Sequence, residues 1–320
     1  MTIRTWTADD YARILDDDIK TFIARTEAFY PVDATTASIP EQRQMYDALS
    51  EDFRPDDLPQ IETRDEVIPN ERGDIPIRRY MPSGWQNAGA QILFFHGGGY
   101  VLGSLESHHD LCLQVADATG MLLTAVDYAL SPERPFPQDW HDAMAAFEHV
   151  TRDDLPIITF GDSAGANLAA AVCHEKRNHP KAPVGQVLVY PGLGSDLTRG
   201  SFVEHANAPG LSTADTRAYK SMRAGGDISR LANAKASPLE DEDFSNLSQT
   251  TVFSAQCDPL RDDGKVYCER INAAGGQATY IEEASLIHGY LRARHAGGKA
   301  AQSFVHICDA LRSIAEKSSG

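Results

Sequence analysis

The stretch Gly161-Asp162-Ser163-Ala164-Gly165 decides how the rest of this chain is interpreted. It follows Pro156-Ile-Ile-Thr-Phe160, a run rich in β-branched and aromatic residues, and it precedes the alanine-rich segment Ala166-Asn-Leu-Ala-Ala-Ala-Val172. A strand, a G-x-S-x-G turn and a helix in this order make a nucleophile elbow, whose strained turn lifts the serine hydroxyl above the sheet edge. The pattern predicts that Ser163 is a nucleophile. The alternative is a tight strand-to-helix turn that holds an incidental serine.

Strand-like segments alternate with helical patterns on both sides of this elbow. The predicted strands are residues 64–68, 75–80, 91–95, 121–126, 156–160, 185–190, 250–255 and 278–282. Because strands that alternate with helices pair in parallel and are covered on both faces, this order predicts an α/β fold with a mostly parallel, eight-stranded sheet. Pro76 lies in the second of these strands and indicates an edge position, since proline cannot donate a ladder hydrogen bond.

Two segments of the chain do not follow this alternation. The first contains a helical pattern from Thr7 and a second helix that begins near Ser38, with Pro40 in its first turn. The second segment contains several glycines, little strand signal and a helical piece around residues 214–223. We therefore predict three parts: residues 1–55 as the N-terminal part of a helical cap, residues 196–235 as a second cap segment, and residues 56–195 and 236–320 as the catalytic domain.

The composition argues against several classes of partner. The 320 residues include 29 Lys and Arg against 46 Asp and Glu, a formal net charge of -17. Such a surface disfavours nucleic acids and anionic membranes, which need clustered basic side chains. The five cysteines form no C-x-x-C pair and their spacing is irregular, which argues against a disulfide framework; Cys112, Cys173 and Cys308 lie in apolar helical patterns and are interpreted as buried thiols. With neither a signal peptide nor an apolar span in the sequence, the expected compartment is the cytoplasm.

Ligands of such a sheet bind beyond the carboxyl ends of its strands. His96-Gly97-Gly98-Gly99 follows one buried strand, and its glycines expose backbone N–H groups that suit an oxyanion hole. The alternatives are a flexible glycine-rich loop or a phosphate site, although neither a P-loop lysine nor a G-x-G-x-x-G spacing is present. His96 itself is interpreted as a side chain that braces the loop.

Two further strand ends carry candidates for a catalytic acid and base. Asp258 directly follows one strand, where an aspartate before a proline can also be a helix N-cap. His288 lies in the loop after a later strand, where a histidine on its own is more often structural or exposed. The order Ser163, Asp258, His288 is the order that this elbow architecture requires. Asp262 and Asp263 are interpreted as charges that complement the dipole of the following helix.

The sequence His108-His109-Asp110 invites a metal site as an alternative. Successive side chains on a helix point about 100° apart, so adjacent histidines are poorly placed to share one ion. We predict no metal and no cofactor.

In these motifs the chain resembles the hormone-sensitive-lipase family of α/β-hydrolase esterases. The resemblance covers residues 60 to 315 and is carried by His96-Gly-Gly-Gly99, Asp127-Tyr-Ala-Leu-Ser-Pro-Glu-Arg-Pro-Phe-Pro137, Gly161-Asp-Ser-Ala-Gly165, Asp258-Pro-Leu-Arg-Asp-Asp-Gly264 and His288-Gly289. Tyr100 and Tyr290 stand where the family commonly has phenylalanine or another aromatic residue.

The resemblance implies an α/β-hydrolase fold with a helical cap. It implies a triad of Ser163, Asp258 and His288 and oxyanion donors on Gly97, Gly98 and Ala164, with Gly99 shaping the same loop. It also implies frequent homodimers. We therefore predict a carboxylic-ester hydrolase that cleaves a small-molecule ester through an acyl-enzyme. The two cap segments are brief and contain no long apolar run that would cover a lipid chain, so we expect a preference for short acyl chains.

Two alternatives stay open from the sequence. One is an amidase or formamidase that uses the same triad. The other is a binding protein without catalysis, like the gibberellin receptors, which resemble this family but lack the triad histidine. His288 in its matching His-Gly context argues against the second alternative.

Overall fold

The computed structural model describes residues 3–30 and 37–318, and their strands form one eight-stranded sheet. The strands are β1 (Glu62–Ile68), β2 (Ile75–Met81), β3 (Gln91–Phe95), β4 (Leu122–Val126), β5 (Ile157–Asp162), β6 (Gly185–Val189), β7 (Gln249–Cys257) and β8 (Ala278–Ile287). Their order is β1-β2-β4-β3-β5-β6-β7-β8, in which β1 pairs antiparallel with β2, β2 antiparallel with β4, and β3 to β8 are parallel. This confirms the predicted α/β sheet.

Helices connect most of the strands, and further helices lie before β1 and between β6 and β7. They are α1 (Ala8–Ile14), α2 (Asp17–Phe29), α3 (Ile39–Asp52), α4 (His109–Thr119), α5 (Gln138–Val150), α6 (Ala164–Lys176), α7 (Ser201–Glu204), α8 (Thr213–Arg223), α9 (Arg261–Ala273) and α10 (Gly298–Ser318). No helix in the described part of the chain has both the length and the apolar character that crossing a membrane requires.

The sheet is covered on both faces because successive side chains of a strand point to opposite sides. On β3, Ile92 and Phe94 belong to the core that α4 and α10 cover, whereas Leu93 and Phe95 belong to the core that α5, α6 and α9 cover. All four side chains are at most 1% exposed. This two-sided burial explains why the central strands are continuous apolar runs.

Three expectations about local structure need correction. Pro76 does not mark an edge strand, because β2 lies between β1 and β4; the proline is tolerated because the ladder with β4 begins only at Ile77. The helical pattern from Thr7 is divided into α1 and α2, and Asp16 is the N-cap residue of the second helix. β8 extends five residues beyond the predicted end, to Ile287, past a register shift opposite Ala255 and Cys257.

The N-terminal helices contact the segment between β6 and β7. The backbone N–H of Trp6 donates to the carbonyl of Glu204 at 2.8 Å, and the hydroxyl of Tyr11 lies 3.2 Å from Nδ1 of His205. Arg43 on α3 donates to the carbonyl of Val101, in the loop that follows β3. These contacts hold both segments over the carboxyl ends of the central strands.

Candidate active site

Ser163 lies at the sharp turn between β5 and α6. Its backbone has φ 52° and ψ −116°, a conformation that a non-glycine residue adopts only under strain. The flanking glycines make the turn possible: a Cβ on Gly165 would overlap the carbonyl of Phe95, and a Cβ on Gly161 would meet the backbone of Gly165. The strained turn therefore places the Ser163 side chain at the carboxyl end of the sheet.

The side chains of Ser163, His288 and Asp258 form a continuous hydrogen-bonded series. Oγ of Ser163 lies 2.8 Å from Nε2 of His288, and Nδ1 of His288 lies 2.7 Å from Oδ2 of Asp258. The other carboxylate oxygen of Asp258 accepts the backbone N–H of Leu260 at 2.8 Å. Asp258 is fully buried, and His288 packs beside the ring of Tyr190, 4.7 Å between centroids. The arrangement is competent for proton transfer from a serine to an imidazole.

The amide of Gly97 does not face the site. It donates to Oδ1 of Asp162 at 2.8 Å, so this N–H is already used and the sequence-based expectation that it receives an oxyanion is wrong. Gly98 and Gly99, with φ 121° and 63°, line the cavity beside Ser163, as does Ala164. Within the described chain the amides of Gly98 and Gly99 donate to no other group. Ala164 opens α6, where the first N–H groups have no helical partner.

Asp162 connects the elbow to the glycine loop, a role that the sequence did not reveal. Its carboxylate accepts the Gly97 amide, and Oδ1 lies 3.4 Å from Nε2 of His108. Burial by itself would raise the pKa of Asp162, but His108 and the Gly97 amide outweigh burial, and the pKa lies below its ordinary value. A charged Asp162 thus holds the loop in place. In the sequence, only its position next to Ser163 pointed to such a role.

His96 is a structural side chain, as interpreted from the sequence. It is 2% exposed, its Nδ1 lies 2.7 Å from the carbonyl of Gly97, and its ring stacks on Tyr128 at 4.4 Å between centroids. Burial, aided by the neighbouring His108, lowers the pKa of His96 to about 3. The imidazole is therefore neutral at physiological pH and braces the loop.

The three side chains of His108-His109-Asp110 face different partners. His108 turns toward Asp162, whereas Nδ1 of His109 lies 3.0 Å from the hydroxyl of Tyr80. Asp110 pairs with Arg294. Among residues 3–30 and 37–318, no group of three or more potential ligands is arranged to hold a metal ion.

Asp262 and Asp263 do more than complement the dipole of α9. Asp263 is 8% exposed, and its Oδ2 accepts the backbone N–H groups of Leu193 and Gly194 at 2.8 and 2.9 Å. Asp262 accepts the N–H of Ser201 at 2.9 Å. Both carboxylates therefore fasten the segment after β6 to α9, and the interpretation of them as dipole charges alone was incomplete.

Ser163 and His288 line a cavity of about 410 Å³. Helices α2, α3 and α8 form its outer walls, and its lining contains two cations, Lys220 and Arg292. Burial lowers the pKa of Lys220 to about 8, and its Nζ donates to the carbonyl of Gly194 at 2.6 Å. Neither cation was recognised in the sequence, because each lies in a helical segment whose packing one sequence cannot reveal.

A buried ion pair anchors α8 beside the glycine loop. Nε of Arg223 donates to Oδ2 of Asp139 at 2.6 Å, and the two residues are 1% and 2% exposed. The guanidinium also lies 3.7 Å above the ring of Tyr100, the residue directly after Gly99. Tyr100 itself has a positive φ of 65°. The pair therefore fixes both the cavity wall and the end of the loop.

Arg223→Met is expected to lower the free energy of unfolding by about 3–5 kcal/mol, because it leaves the buried carboxylate of Asp139 without its counter-ion. The double variant Arg223→Met/Asp139→Leu should regain at least half of that loss, since it removes both charges. Urea unfolding of the parent, the single variants and the double variant measures these differences. Equal losses in the single and double variants would contradict the ion-pair argument.

Sequence comparisons identify the family of this chain and several of its relatives. A family model for the alpha/beta hydrolase fold matches residues 92–292. The carboxylic ester hydrolase LipN of Mycobacterium tuberculosis is 34% identical over 265 residues, covering 79% of this chain and 70% of LipN. An arylesterase of Saccharolobus solfataricus is 32% identical over 284 residues, covering 87% of this chain and 92% of that protein.

Solved structures extend the similarity to the whole architecture. A hyperthermophilic esterase from the archaeon Pyrobaculum calidifontis superposes with a TM-score of 0.87 at 28% identity, covering 94% of this chain and 99% of that one. EstE1, a thermophilic and thermostable carboxylesterase from a metagenomic library, gives a TM-score of 0.81 at 31% identity over 88% of this chain and 98% of its own.

Proposed function

From the premise that this chain belongs to the alpha/beta hydrolase fold family and is a carboxylic-ester hydrolase, we propose that it cleaves short-chain esters through an acyl-enzyme on Ser163. The observation that supports the proposal most directly is the series Ser163, His288, Asp258, with separations of 2.8 and 2.7 Å, at the wall of the cavity.

In the acylation half, His288 removes the proton of the Ser163 hydroxyl as Oγ attacks the ester carbonyl. Asp258 holds the imidazole in the tautomer that presents a free Nε2 and stabilises its charged form. We assign the oxyanion to the amides of Gly98, Gly99 and Ala164, which replaces Gly97 with Gly99 in the predicted set. His288 then gives its proton to the departing alcohol.

The second half repeats these steps with water as the nucleophile. His288 removes a proton from the water that attacks the acyl-enzyme, and the acid leaves as Oγ of Ser163 is protonated again. All proton transfers pass through Nε2 of His288. This sequence needs no cofactor.

We further propose that residues up to about 55 and residues 196–235 act together as the cap over the substrate. Helices α2, α3 and α8 contribute much of the cavity lining. The contact between Trp6 and Glu204 joins the two segments. We also propose that the protein forms a homodimer, as the family resemblance implies. A sedimentation measurement of the molecular mass in solution tests this proposal.

The size of the cavity supports a preference for short acyl chains. A volume of about 410 Å³ lies near the lower end of the range of about 300–1,000 Å³ for small-molecule sites. We expect the highest kcat/KM among para-nitrophenyl esters at acetate to butyrate, with a decline toward decanoate. Steady-state rates over this series, all below the solubility limit of each ester, make the measurement.

Two further assays complete this test. Emulsified long-chain triglycerides should be poor substrates, and faster turnover of them than of soluble butyrate would refute the short-chain proposal. Para-nitrophenyl acetate and para-nitroacetanilide share their acyl group and differ in the bond. Faster cleavage of the anilide would favour the amidase alternative.

A further inference from the structure

We propose that Arg292 recognises a carboxylate on the substrate, so that the preferred substrates are short esters that carry a second, anionic carboxylate group. This inference rests on the proposed function, because it places that carboxylate in the cavity next to Ser163. Ser163, His288 and Asp258 account for ester hydrolysis but do not specify which esters are cleaved. The inference adds that substrate class.

Arg292 has a fixed position relative to the catalytic histidine. It lies in the 3₁₀ turn Tyr290–His295, which begins two residues after His288, and its backbone N–H donates to the carbonyl of Gly289. Its side chain lines the same cavity as Ser163 and His288. A group held by Arg292 would therefore be held within the same enclosed space as the scissile ester.

No carboxylate of the described chain lies within ion-pair distance of the Arg292 guanidinium, although the charges of Asp110 and Asp162 act on it from farther away. Nη1 donates to the hydroxyl of Ser50 at 2.7 Å, and the guanidinium carbon lies 4.5 Å above the ring of Tyr46. These contacts orient the side chain, but neither of them neutralises it. Within the described chain Arg292 forms no ion pair, whereas the buried arginines Arg223 and Arg294 pair with Asp139 and Asp110.

The carboxylates near the cavity are engaged elsewhere or lie at its rim. Asp162 accepts the Gly97 amide, and Asp215 accepts the N–H and the hydroxyl of Ser212 in the cap of α8. Glu27 and Asp47 are exposed. Burial raises the pKa of Asp47, and this effect exceeds the lowering of that pKa by the charge of Arg292. The interaction between Asp47 and Arg292 is therefore weaker than the effect of burial.

Two hydroxyl groups of residues that line the cavity also lack partners. Tyr30 Oη and Thr26 Oγ1 are buried and accept or donate no hydrogen bond within residues 3–30 and 37–318, and both residues line the cavity. A buried hydroxyl without a partner is costly unless a ligand satisfies it. Together with the guanidinium they offer donors of the kind that a carboxylate accepts.

A local cation is also what an acidic protein needs for such a substrate. The net charge of -17 repels anions at long range, so a carboxylate is bound only where a nearby donor compensates. The planar guanidinium can donate two parallel hydrogen bonds to a carboxylate, a geometry that favours arginine over lysine.

The test compares matched esters on Arg292 variants. Para-nitrophenyl hemiglutarate and para-nitrophenyl pentanoate place the charge on the acyl side, and para-carboxyphenyl acetate and para-methylphenyl acetate place it on the alcohol side. For one of these pairs, Arg292→Met should lower the ratio of kcat/KM for the anionic ester to that for the neutral ester by about 10–100-fold. Arg292→Lys should lower the ratio less, because it keeps the charge.

Two further variants serve as controls. They test whether the ratio of kcat/KM also falls when a different arginine in contact with α3, or the other cation of the cavity, is removed. Arg43→Met is the matched control. Arg43 anchors α3 through the carbonyl of Val101 and the carboxylate of Glu133, and its removal leaves Arg292 in the cavity. This variant should leave the ratio unchanged. Lys220→Met removes the other cation of the cavity. The proposal is wrong if Arg292→Met changes neither ratio, if Arg43→Met lowers the ratio equally, or if only Lys220→Met lowers it.

A binding measurement separates this inference from the proposed mechanism. Calorimetric titration of Ser163→Ala with glutarate requires no turnover. We expect binding that Arg292→Met in the same background weakens by about 10-fold or more. Loss of binding specific to Arg292→Met supports the anion site even if Ser163 were not the nucleophile. Equal binding of glutarate by both variants would overturn the anion site and leave the triad assignment standing.

Discussion

Ser163→Ala is expected to lower kcat for a short soluble ester by about 10⁶-fold, the loss seen when the serine of a comparable triad is removed. The acyl-enzyme cannot form without Oγ, and neither His288 nor Asp258 can substitute for it. The small remaining rate would come from substrate binding and from the oxyanion donors.

The expected loss follows from geometry that is specific to this serine. Its Oγ lies 2.8 Å from Nε2 of His288, and its positive φ of 52° directs the side chain into the cavity. Ser201 is a suitable control, because it is fully buried near the same strand ends and its hydroxyl donates to the carbonyl of Pro259. Ser201→Ala removes this hydrogen bond and the one that the same hydroxyl accepts from the backbone N–H of Asp262, each worth about 0.5–1.5 kcal/mol, and should leave turnover within about tenfold of the parent.

An organophosphonate provides a second measurement on the same residue. Its phosphorus should bond to Oγ of Ser163 alone, and a peptide map of the labelled protein should show a single modified peptide. The parent and Ser201→Ala should label at similar rates, whereas Ser163→Ala should not label. A label on another hydroxyl, or persistent turnover in Ser163→Ala, would contradict the assignment.

The fold was largely predictable because its signals are local and repeated. The elbow around Ser163 combines a strand, a turn that only glycines can flank, and a helix, all within about twenty residues. The parallel strands are continuous apolar runs because both of their faces are covered, and this pattern is visible without any knowledge of partners. The edge position predicted from Pro76 was wrong, because a proline can be accommodated at the start of an interior strand, before pairing with the next strand begins.

The details of the site depend on contacts between distant segments. Gly97 and Gly98 look equivalent in the sequence, yet the carboxylate of Asp162, 65 residues away, accepts the amide of Gly97 and leaves those of Gly98 and Gly99 free. Arg292 lies four residues after His288, and its proposed role depends on α2 and α3. These helices bring Thr26 and Tyr46 to the same cavity and Ser50 to the guanidinium. Such contacts are set by tertiary packing, so one sequence does not reveal them.

Asp258→Asn is expected to lower turnover by about 10⁴-fold while the fold survives, because an amide that donates to the imidazole selects the wrong tautomer. Asp258 is placed for this role by two hydrogen bonds. Oδ2 lies 2.7 Å from Nδ1 of His288, and Oδ1 accepts the backbone N–H of Leu260. The isosteric asparagine keeps the second bond and loses the orienting charge.

The neighbouring carboxylates supply matched controls for Asp258. Asp262 and Asp263 each accept backbone N–H groups of the segment after β6, so their asparagine variants keep an acceptor oxygen and lie outside the hydrogen-bonded series. Each should cost about 1–3 kcal/mol of stability at most and less than about tenfold in turnover. Because Asp263 is buried and bonds two amides, Asp263→Asn should melt at a lower temperature than Asp262→Asn. Steady-state kinetics and thermal unfolding of all three variants decide the matter: near-parental turnover in Asp258→Asn would show that this carboxylate does not orient His288.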